Sequence, residues 1–154
     1  MSLFWRAWMI VWLSGVMLFG LILAGAAFPA SEAPVVWLLE TLQGQAGITP
    51  DAPLRFSLAL MGCVSIGWAI LMLWVMLMAF RGGEMAPSLW RGLTVSICVW
   101  FVIDSALSAA TGFGLNVIPN TALLITYLIG VVGSGAYRSP TSSRTTHAMV
   151  RSTE

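Results

Sequence analysis

Residues 56–80 read FSLALMGCVSIGWAILMLWVMLMAF, an apolar run without one charged side chain. A helix rises about 1.5 Å per residue, so about 20 residues cross the ~30 Å hydrocarbon layer of a bilayer. This run is long enough, and three others accompany it, at about residues 7–28, 92–112 and 117–137. Together they predict an all-α integral membrane protein, a four-helix bundle. Residues 1–137 form its transmembrane domain and residues 138–154 a polar tail. Only 8% of the 154 residues are charged, against about 25% in a soluble domain, and the mean hydropathy is +0.90. No stretch is left for a separate soluble domain. Arg6 before the first run and Ala24, Gly25, Ala26 and Ala27 at its end have the look of a secretory signal. The apolar part exceeds the about 7–15 residues of such a signal, so it reads as a retained span.

Orientation follows from the arginines, because basic residues near short loops stay on the cytoplasmic side. Arg6 precedes the first span, Arg81 and Arg91 flank the second loop, and Arg138, Arg144 and Arg151 follow the fourth. The first loop carries Glu32, Glu40 and Asp51 against Arg55, and the third carries no charge. This pattern predicts a multi-pass protein of a bacterial inner membrane with both termini cytoplasmic. The net charge of +1 is then a topological signal, and no basic surface suited to nucleic acid is expected.

The connection between the first two spans is long and should hold structure of its own. Pro34 opens and Gly44 closes a candidate short helix, with Val35, Val36, Trp37, Leu38, Leu39 and Leu42 as its apolar residues. Such a helix would lie at the membrane interface. Thr49, Pro50, Asp51 and Pro53 suit a turn and a cap for the second span. The tail, rich in Ser, Thr and Arg and without periodicity, should be disordered alone. Small residues let helix backbones approach in lipid. They recur every four positions at Ala59, Cys63 and Gly67 in the second span, and at Thr126, Gly130 and Ser134 in the fourth.

Much chemistry is missing. The sole histidine, His147, lies in the tail, and there is no lysine. No span therefore supplies an imidazole to a metal or haem, nor an amine for a Schiff base. Cys63 and Cys98 stand alone in separate spans. Neither a metal nor a cofactor is expected, and catalysis is not. The eight tryptophans fall into two groups. Trp5, Trp8, Trp37 and Trp90 lie near membrane boundaries, where indoles anchor at headgroups. Trp12, Trp68, Trp74 and Trp100 lie deeper and are candidates for contacting a helix, a pigment or a lipid.

One ionisable residue stands at membrane depth. Asp104 shares a helical side with Trp100, Ser108 and Thr111. An acid there costs about 2.5 to 3.5 kcal/mol on insertion scales unless it is satisfied, which makes it the leading functional candidate. Helical rise puts it roughly 20 Å from Arg91, at a depth matching Asn120 and the inward reach of Arg55. A cluster of Asp104, Asn120, Arg55 and Ser108 is the expectation. The plainer alternative is an Asp satisfied by Ser105 and Ser108 that only fixes helix packing. Two functions fit these features: an accessory or assembly subunit of a larger membrane complex, such as a respiratory or photosynthetic one, or a small transporter or ligand-binding protein organised around Asp104. The expected partners are the lipid bilayer and other membrane proteins or further copies of the chain.

Overall fold

The computed structural model describes residues 1–138; the expected tail beyond Arg138 lies outside them. The described residues form five α-helices and no strand. Four are long and apolar enough to cross a membrane: α1 (Leu3–Ala24), α3 (Ala52–Phe80), α4 (Ala86–Ala110) and α5 (Val117–Gly133). The fifth, α2 (Ala33–Gln43), is the short helix of the first loop, and its ends have local causes. Pro34 stands in its first turn, where a missing N–H costs nothing. Gly44 ends it at φ 74, a left-handed conformation that suits a residue without a Cβ.

The spans begin and end away from the apolar runs. Helix α3 starts at Ala52 because Asp51 caps it, its carboxylate accepting from the Leu54 amide at 2.9 Å, and Pro53 fits the first turn. Helix α4 starts at Ala86 with Pro87 in its first turn but without a side-chain cap. A 3-10 turn at Gly114–Asn116 leads into α5, which stops at Gly133, short of Tyr137.

Successive spans run antiparallel, and α5 closes the bundle against α1. At one end, hereafter the arginine end, lie Arg6, the Arg81 to Arg91 turn and Arg138. At the other, the loop end, α2 packs Val35 on Leu23, Ala26 and Leu58. Helices α1 and α3 cross closely where Gly20 meets Gly62: a Cβ on Gly62 would lie 2.6 Å from the Gly20 carbonyl oxygen and collide with the Ala24 amide nitrogen. The expected seam of Ala59, Cys63 and Gly67 is corrected here. Cys63 and Gly67 are exposed, and a Cβ on Gly67 meets nothing within 4 Å. The fourth-span seam does face the bundle, with Gly130 against Met9 and Trp8.

The α1–α5 contact is built on indoles. Trp8 Nε1 donates to the Thr126 carbonyl and Trp12 Nε1 to the Leu123 carbonyl, each at 2.9 Å. A carbonyl already in a helical bond has a second lone pair to offer. The absent Cβ at Gly130 lets the Trp8 ring come close enough to use it. The core around these contacts comprises Met9, Trp12, Met72, Met76, Trp90, Ile97 and Tyr127, all buried. Trp90 thus packs inside, against Phe80 at 5.8 Å between ring centroids, where a boundary anchor was expected. On the core side of α4, Thr94 Oγ1 bonds the hydroxyls of Tyr127 and Tyr137 at 3.0 and 2.7 Å, so neither phenol is left without a partner.

Candidate functional site

Asp104 sits near the loop end of α4, facing the start of α5. Two antiparallel helices present polar residues to each other there at matching spacings of four: Asp104 and Ser108 on α4, Asn116 and Asn120 at the entry to α5. Residues four apart lie one above the other on a helix, so the two pairs meet face to face. Asp104 Oδ2 accepts from Asn120 Nδ2 at 2.6 Å and from Asn116 Nδ2 at 3.0 Å. The same two amides reach the serines, Asn116 to Ser108 Oγ at 2.9 Å and Asn120 to Ser105 Oγ at 3.3 Å. Asn120 is buried, whereas Asp104 and Asn116 are partly exposed.

The structure therefore brings together Asp104, Asn120 and Ser108, and adds Asn116 and Ser105. Arg55 does not belong to the cluster. It pairs with Glu32, which the first loop places against the start of α3, so the guanidinium has a carboxylate partner before it can reach inward. Matching depth along the membrane normal said nothing of that loop's path. Asn116 was not among the expected members of the cluster. The signal that would have found it is its spacing of four from Asn120, opposite the Asp104 and Ser108 pair.

Of the deep tryptophans, Trp12 is buried and bonded to α5. Trp68 and Trp100 pack on each other between α3 and α4, with ring centroids 6.1 Å apart. Trp74 is 65% exposed and points away from the bundle. Among the described residues no group of three or more His, Cys, Asp or Glu side chains gathers as a metal site would require. An open groove of about 400 Å³ runs beside α2, lined by Glu32, Val36, Trp37, Glu40 and Pro50 among others. Glu40 is occupied there with the Gly47 and Ile48 amides. A smaller groove of about 230 Å³ lies between α1 and α3, along Ile10, Ser14, Met17, Ala69 and Leu73. Neither groove is lined by Asp104. No protein-family model, curated protein or solved structure matches the chain.

Proposed function

We propose that the protein is a non-catalytic subunit or assembly partner of a larger membrane complex. The observation that carries this reading is the use made of Asp104. Two asparagines of its own hairpin engage its carboxyl, so the one acid at membrane depth serves to join α4 to α5. A transport or ligand site would instead need that group turned toward a cavity.

The outer side of α4 gives further support. Gly92, Ser96, Val99, Ile103, Ala106 and Ala110 are all exposed and recur at alternating spacings of four and three. That is the rhythm with which one helix meets another, and the small residues among them permit close approach. Among the described residues, none of α4 after Ile97 is more than partly buried. Mild-detergent extraction of the tagged native protein, followed by a native gel, tests the reading. The protein should migrate with a much larger assembly, and mass spectrometry should identify its other members. A stable species holding this polypeptide alone, as monomer or homo-oligomer, would refute it.

We place the arginine end on the cytoplasmic side of a bacterial inner membrane, on the strength of the arginine distribution. With Cys63 and Cys98 replaced by alanine, single cysteines at Ser2 and Ser152 should resist an impermeant maleimide in intact cells and react once the cells are opened. Labelling of either position from outside would reverse the orientation.

A further inference from the structure

The two ends of the bundle differ in charge and in how that charge is satisfied. At the loop end Arg55 is paired with Glu32, the one ion pair among the described residues. At the arginine end Arg6, Arg81, Arg91 and Arg138 are all exposed, Glu84 is the one acid near them among the described residues, and none of the four forms an ion pair with a described residue. Arg6 has a structural task. It donates to the Phe80 carbonyl at 2.8 Å and lies over the Phe80 ring at 5.7 Å, so it stabilises the C-terminus of α3. Phe80 in turn packs on Trp90. Arg81 and Arg91 follow these two rings directly in the chain, so one buried aromatic pair ties the two exposed arginines to the same end of the bundle. Beside them are apolar side chains with no cover: Leu3 is 83%, Phe4 63% and Met85 69% exposed.

We infer that this end is a binding surface for anionic phospholipid headgroups, with Arg81 and Arg91 as the principal contacts. A guanidinium binds a phosphate oxygen pair through two parallel N–H bonds. A diacyl phosphate also brings the acyl chains that Leu3, Phe4 and Met85 can meet, which a free anion does not. The inference is independent of the assembly role, because it concerns the lipid side of the same molecule.

The test uses the purified full-length protein in a neutral detergent, titrated with dioleoyl phosphatidylglycerol or dioleoyl phosphatidylcholine and read by native mass spectrometry. The two lipids share their chains and differ in headgroup charge. Phosphatidylglycerol should bind more tightly, and its advantage should shrink as salt rises from about 0.1 M to about 1 M, where the screening length falls from about 10 Å to about 3 Å. The double variant Arg81→Gln and Arg91→Gln, which leaves Arg6 in place, should weaken phosphatidylglycerol binding by about thirtyfold. Its affinity for phosphatidylcholine, whose choline offsets the charge of the same phosphate, should fall much less. Equal affinity of the wild-type protein for the two lipids overturns the inference. So does an unaltered double variant, or displacement of the lipid by an equal concentration of inorganic phosphate, which would mark a plain anion site.

Discussion

Gly62→Leu should remove most of the folded protein from the membrane, while Gly67→Leu, on the same helix, should be tolerated. At Gly62 the first added carbon already falls 2.6 Å from the Gly20 carbonyl oxygen and against the backbone of Ala24. Backbone atoms cannot turn aside as a long side chain can, so α1 and α3 have to separate. Overpacking of this kind costs about 1 to 3 kcal/mol, occasionally more, and leucine, whose further atoms have no space, belongs at the upper end. At Gly67 the Cβ meets nothing within 4 Å. There Gly67→Ala should be neutral or gain up to about 1 kcal/mol from helix propensity. Amounts in the membrane and the melting temperature of purified protein, for the three variants, settle the matter. Loss at Gly67 with retention at Gly62 would mean that the helices meet along the other face of α3.

Asp104→Leu should destabilise the bundle by about 2 to 4 kcal/mol, because it strands two amides. Asn116 and Asn120 lose their shared acceptor, and an unsatisfied buried donor costs about 1 to 3 kcal/mol; the serines compensate in part. Asp104→Asn keeps an oxygen in the same place and should cost about 1 kcal/mol or less. That difference separates a hydrogen-bonded joint from a working charge. If the asparagine variant is as stable and abundant as wild type while the leucine variant melts earlier, the carboxyl acts as an acceptor. If asparagine is as damaging as leucine, the acid itself is needed, and the assembly reading loses its main support.

The spans were legible because each requires only length and apolarity. The start of α3 was legible as well, from the Asp51 cap and Pro53; that of α4 was not, since the helix extends into a segment that contains Pro87 and Arg91 and opens without a side-chain cap, of which apolarity gives no account. The inward face of α3 was hidden by its uniformity. With nearly every residue apolar, small residues at 59, 63 and 67 fit a helical stripe as well as Gly62 does, and only the position of α1 selects between them. At the site, counting helical rise paired Asp104 with Asn120 across two helices. It failed for Arg55, whose partner Glu32 comes from an irregular loop, and for Asn116, which lies in a 3-10 turn before the regular helix begins. The tryptophans showed the same limit. Depth along the membrane normal placed Trp90 correctly near an end, yet the ring turns inward against Phe80, and Trp74, placed deep, turns outward.

The indole bonds from α1 to α5 have a consequence for how the molecule is made. Trp12 and the carbonyl it bonds are 111 residues apart in the chain. At about 5 to 20 residues per second of synthesis, roughly 5 to 20 s pass between the emergence of the two. During that interval the first span stays in the bilayer with its ring nitrogens facing lipid or temporary partners, while the second and third arrive. The ring of four helices closes only with the last one, so a ribosome that stalls before Leu123 leaves an open three-helix intermediate whose α1 still presents two unclaimed donors.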